Sequence, residues 1–226
     1  DQYRTSTSLG RILDSENDAI LCTEMNGQPL PRDHGYPVRV LLPGIAGCRN
    51  VKWLHAIRLL PAESDSCFQK TYYLDPHGRA IQEMPMQAFV TSKEKKASVT
   101  ATKRTPNEAK QEEVEEWTVR GIAWAGGSGV GISSVQVSTN GGATWETVDK
   151  GGMHMCLGQD ASKQWSWVQW ETVVQVPANA ASTATAKSQQ QAQVKFTCRA
   201  FDGKGMQQPQ RLWYPKGYLS NGWHTL

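Results

Sequence analysis

The sequence has no apolar run approaching the roughly 20 residues that a membrane-spanning helix needs, which excludes a helical bilayer span. Neither sign of charge dominates: 24 Lys and Arg against 21 Asp and Glu leave a net +3 over 226 residues. A balance that close gives no global field for nucleic acid. The basic run KEKK with Lys103 and Arg104 is cancelled by EEVEE within a dozen residues, and no aromatic interleaves with it. Cys-x-x-Cys pairs are missing as well. The five cysteines (Cys22, Cys48, Cys67, Cys156 and Cys198) are odd in number and scattered, so they read as reduced, buried thiols rather than a disulfide framework or a metal site. The opening DQYRTSTSLGRI is polar with a lone Arg4, so it does not read as a secretory leader. With no initiator Met, the expectation is a piece of a longer protein.

Turn-formers and large aromatics are plentiful. Nine tryptophans and 20 glycines among only 38% hydrophobic residues favour short strands and turns over helical bundles. The first 80 residues or so read as mixed structure. A short helix follows Ser8, with Leu9, Ile12 and Leu13 on one face. AILCTEM reads as a strand, NGQPLP as a turn, and YPVRVLLP and VKWLHAIRLLP as two further strands. The stretch KEKKASVTATKRTPNEAKQEEVEE, residues 93–116, carries its charges in blocks and reads as a solvated loop or long connection. From Trp117 onward the period is two. In VKFTCRAF the residues Val194, Phe196, Cys198 and Ala200 point one way and Lys195, Thr197 and Arg199 the other. SSVQVSTNGGATWETV alternates through Val135 and Val137 and turns at Asn140-Gly141, a hairpin signal because both turn positions call for positive φ. QWSWVQWETVVQVP is a further strand region, with Trp165 and Trp167 on one face. Short strands between turn signals imply an antiparallel β-sandwich of roughly a hundred residues. ANAASTATAKSQQQAQ, residues 178–193, has nothing large to bury and reads as a loop insertion.

One stretch stands apart. PRDHGYPVRVLLPGIAGCRNVKWL, residues 31–54, sets Arg32, His34, Arg39, Arg49 and Lys52 around a strand-like apolar run. Spacing alone makes DHGYPVRV a turn entering an edge strand, with His34 capping and Arg39 solvated. The stretch also resembles the signature of the sulfite oxidase family, which includes the assimilatory nitrate reductases. IQEMPMQAFVTS, VRGIAWAGGSGVGISSVQVSTNGGATW, FTCRAFDGKGMQQP and GYLSNGWH follow in that family's order. The resemblance covers nearly the whole chain, apart from the charged stretch and the Gln/Ala insertion.

The resemblance implies a mainly β chain: the last part of a mixed α+β molybdopterin-binding domain over residues 1–84, then an immunoglobulin-like β-sandwich dimerisation domain over 85–226. It implies molybdenum-molybdopterin as the cofactor, contacted by His34 and Arg39 and by the segment Asn50, Val51 and Lys52. Arginine suits a bidentate anion contact, lysine a point charge and main-chain groups a pterin edge. The family's active-site tyrosine falls on Tyr73, with Tyr72 beside it as a lesser substrate-side candidate. On spacing alone the two are strand aromatics on opposite faces. Lys216 stands where the family has a substrate-binding arginine and keeps the charge without the planar fork. That departure leaves sulfite, nitrate or another oxyanion open as substrate. The cysteine that holds molybdenum lies in the family's earlier half, so no metal ligand is expected within these residues. Cys48 reads as packing.

As implied partners there are a second copy of the chain through the sandwich and an electron acceptor such as a haem protein or domain. Mitochondrial intermembrane space and cytosol are both compatible with reduced cysteines. A sandwich serving assembly alone, without redox activity, is the competing class. Retention of His34, Arg39, Lys52 and Tyr73 together favours the enzyme. Sugar stacking on Trp124, Trp145, Trp165, Trp167 or Trp170 is disfavoured, since such residues more often fill cores and interfaces.

Overall fold

The computed structural model describes residues 2–105, 108–155, 165–178, 194–211 and 217–226; at 101–105, 108–110, 128 and 155 it describes the backbone only. The chain divides into two compact units.

The first unit comprises Asp1–Pro85, Gly126–Gly129 and Leu212–Asn221. Its helix α1 (Leu9–Leu13) starts where expected, with the Ser8 side chain accepting from the Arg11 amide. The anticipated apolar face is not buried, however: Leu9 is 50% and Leu13 73% exposed. Strand β1 (Ile20–Cys22) pairs antiparallel with β4 (Arg39–Leu41), putting Cys22 opposite Arg39. Between them β2 (Glu24–Met25) and β3 (Gln28–Pro29) form a small hairpin. Asn26 and Gly27 turn it with φ of 54° and 72°, so the expected turn is only these two residues and the following Gln-Pro is strand. No strand forms over VKWLHAIRLLP, although the Val40 amide donates to the Val51 carbonyl and the Leu54 amide to Val38. Trp53 at φ 52° breaks the extended run between them.

The second unit comprises Met86–Ala125, Val130–Arg211 and Gly222–Leu226. It is the β-sandwich. One antiparallel sheet has the order β5-β6-β10-β9, from β5 (Gln87–Thr105), β6 (Glu108–Trp124), β10 (Val168–Pro177) and β9 (Met153–Met155). The other has the order β12-β11-β7-β8, from β12 (His224–Thr225), β11 (Thr197–Asp202), β7 (Ile132–Ser138) and β8 (Glu146–Thr147). The period-two reading holds: Phe196, Cys198, Ala200, Val135 and Val137 enter one core with Val119, Val168, Trp170, Val174 and Val176. Gly121 makes room for this core, because a Cβ there would lie 2.0 Å from the Phe89 carbonyl oxygen and 2.2 Å from the Trp170 ring.

Two expectations for this unit fail. Residues 93–116 are not a loop; they build most of the β5–β6 hairpin, with Ala97 opposite Glu116, Val99 opposite Val114 and Thr105 opposite Glu108. The first block falls on β5 and the acidic one on β6, and the register sets Ala97, Ser98, Thr100 and Ala101 opposite Glu116, Glu115, Glu113 and Glu112, so charges of opposite sign meet on the diagonal rather than face to face. Lys95 Nζ sits 2.6 Å from Glu115 Oε1. At the β7–β8 turn, Gly141 and Gly142 take positive φ (71° and 94°), and Asn140 does not. Asn140 instead uses its side chain, accepting from the Thr144 amide at 2.9 Å, which makes a wider turn than the two-residue form. The 178–193 insertion lies outside the described residues except for Ala178.

Candidate functional site

The first unit assembles its site around one short turn. Residues Arg32–His34 form a 3-10 turn that Gly35 ends in the left-handed region at φ 113°. Each of the turn's three carbonyls receives a side-chain donor. Trp53 Nε1 donates to Arg32 O at 2.9 Å, Lys52 Nζ to Asp33 O at 2.8 Å, and Arg39 Nη1 to His34 O at 3.1 Å. Gly35 closes the arrangement: a Cβ on it would lie 3.0 Å from the Lys52 Cβ and 3.2 Å from the Arg39 Cβ. Three of the expected cofactor residues, His34, Arg39 and Lys52, therefore stand together.

Their charge is not neutralised internally. Among the described residues neither Arg39 nor Lys52 pairs with a carboxylate, because backbone carbonyls hold both. Arg39 Nε is buried without a hydrogen-bond partner, and a buried orphan donor calls for an acceptor. Lys52 lies exposed, 4.7 Å from the Trp53 ring centroid. A group with an anionic, acceptor-rich end fits this collar.

Asn50 and Val51 are turned inward. Asn50 Oδ1 accepts from the Leu42 amide at 2.5 Å, and Nδ2 donates to the Ile45 and Ala46 carbonyls at 3.2 Å. That side chain braces the Leu42–Ala46 turn, which leaves only main-chain atoms to face a ligand. Val51 uses its carbonyl for the Val40 amide.

Arg49, one residue earlier, is 2% exposed. Its guanidinium donates from Nε to Ile81 O at 2.8 Å, from Nη1 to Gln69 Oε1 at 2.6 Å and to Thr5 Oγ1, and from Nη2 to Tyr73 O at 3.4 Å. The sequence grouped Arg49 with the surface cations, and nothing in its spacing marks it as the buried member. It positions the backbone of Tyr73. The strand reading of the tyrosine pair is corrected here. Tyr72 closes a single π-helical turn, Phe68–Tyr72, and Tyr73 follows it at φ −99° and ψ 67°. Tyr72 is 53% exposed, while Tyr73 is half-buried with its ring 5.6 Å from that of Tyr218. Lys216 lies outside the described residues.

Tyr3 donates to Cys48 O at 2.5 Å. Burial, then the neighbouring Cys48 and Tyr73, push its hydroxyl up to about 12 against the opposing pull of Arg49, so it stays a neutral donor. Burial also pushes the Cys48 thiol up, with Arg49 pulling the other way. The net shift disfavours the thiolate a metal takes. Among the described residues no cluster of three His, Cys, Asp or Glu could hold a metal ion.

Residues 1–68 match the oxidoreductase molybdopterin binding domain, and residues 78–226 the Mo-co oxidoreductase dimerisation domain. The mitochondrial sulfite oxidase of Homo sapiens is 35% identical over 99% of this chain and 38% of its own length. The sulfite oxidase of Arabidopsis thaliana is 29% identical over 99% of this chain and 54% of its own. The NADH nitrate reductase of Ulva prolifera is 31% identical over 99% of this chain and 25% of its own. In fold, the crystal structure of the sulfane dehydrogenase SoxCD from Paracoccus pantotrophus superposes with a TM-score of 0.67 at 23% identity, over 98% of this chain and 50% of that one. The chain thus spans 38% of the length of the mammalian relatives it matches. With two thirds of its residues inside the dimerisation-domain match and residues 1–68 inside the molybdopterin-binding-domain match, the chain belongs to the sulfite oxidase-like family of molybdenum-cofactor oxidoreductases.

Proposed function

We propose that this chain is the C-terminal part of a sulfite oxidase-like enzyme that oxidises sulfite to sulfate and passes two electrons to a haem protein or domain. The observation that carries the reading is the collar of His34, Arg39 and Lys52. Two cations there are fixed by carbonyls rather than carboxylates, and a guanidinium nitrogen is buried without a partner. The intact protein's molybdopterin would be gripped at its phosphate and pterin edge by these three side chains and by the main chain at Asn50 and Val51. When bound, the cofactor supplies the two-electron redox chemistry. The ligand cysteine for molybdenum lies, on this reading, outside these 226 residues.

The chain's own residues bind and orient. The phenol of Tyr73 donates a hydrogen bond to the oxyanion, with its backbone held by Arg49. Lys216 adds a point charge that attracts the anion. Tyr72, exposed at the rim of the π-helical turn, is the lesser substrate contact. Residues 1–84 form the cofactor-facing part, and residues 85–226 pair with a second copy across an isologous interface. Likeness to a nitrate reductase makes nitrate the second candidate substrate, at lower identity and over a smaller share of that relative than for the mammalian sulfite oxidases.

The test uses the full-length protein. Arg39→Met and Lys52→Met should each lower co-purifying molybdenum and pterin at least tenfold, read by metal analysis and by fluorescence of the oxidised pterin. The double variant should retain almost none, with its circular dichroism spectrum unchanged. Cofactor content equal to the parent's in the double variant would remove the basis for the reading.

A further inference from the structure

A concave feature lies wholly within the sandwich unit and shares no lining residue with the collar. It is an open cavity of about 440 Å³, bounded on one side by the Asn140-Gly141 turn. Lys195 and Arg211 reach it from two separate segments, and among the described residues no Asp or Glu lines it. Both side chains are exposed, and neither makes an ion pair or hydrogen bond among the described residues. By contrast the next cation along the chain, Arg199 in β11, is fully engaged. Its guanidinium lies 4.0 Å from the Trp145 ring centroid and donates to Gln136 Oε1 at 2.8 Å.

The cavity also offers a neutral donor. Thr197 and Thr225 share one hydrogen bond, Oγ1 to Oγ1 at 2.9 Å. Two hydroxyls carry two protons and that bond uses one. The second proton is available to an acceptor in the cavity, and Thr197 is only 4% exposed. Val194 and Trp223 supply an apolar wall. The Trp223 indole nitrogen is occupied, donating to Gln208 O at 2.9 Å, so the ring offers surface rather than a polar contact.

From these features we propose that the cavity is a binding site for a phosphate monoester carrying a small apolar or aromatic organic group. Two unopposed cations match a dianion better than a carboxylate or another monoanion. The hydroxyl donor suits a tetrahedral oxyanion, and the volume exceeds what an inorganic phosphate fills while suiting a small organic ligand. The organic part rests on Val194 and Trp223. The site is independent of the cofactor reading, and neither proposal falls with the other.

The test titrates the ¹⁵N-labelled 226-residue chain with 4-nitrophenyl phosphate at low salt, following amide and indole resonances. Saturating shifts should localise to the Thr197 and Thr225 amides and the Trp223 indole N–H. Inorganic phosphate and 4-nitrophenyl sulfate should each bind at least fivefold more weakly. Lys195→Gln and Arg211→Gln should each weaken 4-nitrophenyl phosphate at least fivefold, and Lys195→Arg should restore most of the loss. Both positions are exposed, so the spectra of the variants otherwise remain those of the folded chain. Shifts scattered over other surface lysines, an affinity unchanged in the double Gln variant, or inorganic phosphate binding as tightly as the ester would each overturn the proposal.

Discussion

Arg49 and Lys52 show how two cations take different roles within four positions of sequence. Lys52 stays at the surface on a single carbonyl, whereas Arg49 is buried and shares its donors among Ile81 O, Gln69 Oε1, Thr5 Oγ1 and Tyr73 O. No described carboxylate pairs with it. Geometry rather than charge must then be what it contributes, because a planar fork reaches acceptors in several directions and an ammonium does not. Arg49→Met leaves buried acceptors unsatisfied and should cost about 2–4 kcal/mol, at roughly 1–3 kcal/mol for each orphaned group less the relief of an unpaired buried charge. Arg49→Lys should lose as much as Arg49→Met, since one nitrogen cannot replace the fork and its charge still has no partner. Urea unfolding of the two variants against the parent measures this. Stability returning with lysine would mean that charge, not shape, is what the site requires.

Among the elements, the β5–β6 hairpin separates what a sequence reading can and cannot reach. Blocks of like charge read as loop because each block repels itself in isolation. What that reading cannot see is the register, which sets uncharged residues against the glutamates (Ala97 meets Glu116 and Ser98 meets Glu115) and lets Lys95 reach Glu115 along the diagonal. Strands β7 and β11 were legible because apolar and polar residues alternate through their middles, and Val135, Val137, Cys198 and Ala200 go to the core together with Phe196 just before β11. The collar residues were legible only through resemblance. The carbonyl anchoring of Arg39 and Lys52 depends on a turn geometry that no periodicity encodes, and Asn50 gave no sign that its amide would be spent on the Leu42–Ala46 turn.

The far half of the hairpin should be dispensable. Among the described residues strand β10 accompanies β6 as far as the Pro177–Val114 pair, and β5 is the one described strand beside the residues beyond it. Exposed ion pairs such as Lys95–Glu115 contribute about 0–1 kcal/mol. Replacing residues 100–113 by Asn-Gly, which keeps the Val99–Val114 pair, should leave the sandwich folded with a Tm within a few degrees of the parent, as calorimetry would show. A drop of more than about 10 °C, several kcal/mol for a domain this size, would mean that the outer ribbon is tied into the core.

For the whole molecule, the two units differ in how much apolar surface they bury themselves. Among the described residues the sandwich gathers sixteen buried ones into one cluster. Among the described residues the buried apolar set of the first unit is Leu30, Leu42, Ile45, Ala46 and Ile81, while Leu9, Leu13, Ile20, Leu21, Trp53, Ile57, Leu59 and Leu60 are at least half exposed. Burial contributes about 25 cal/mol per Å² of apolar area, so a unit that leaves its large side chains in water holds little margin against the entropy of ordering its chain. In the isolated chain the first unit should therefore unfold first, as a separate transition at lower urea concentration than the sandwich. Hydrogen exchange resolved by residue gives the sharpest measurement. Amides of β1 and β4 should exchange by opening reactions several kcal/mol cheaper than those of β6, β7 and β11, and a dye that binds apolar surface should bind before any sandwich amide is lost. A single transition with equal protection in both units would show that they unfold as one cooperative body and that the exposed side chains of the first are not its weakness.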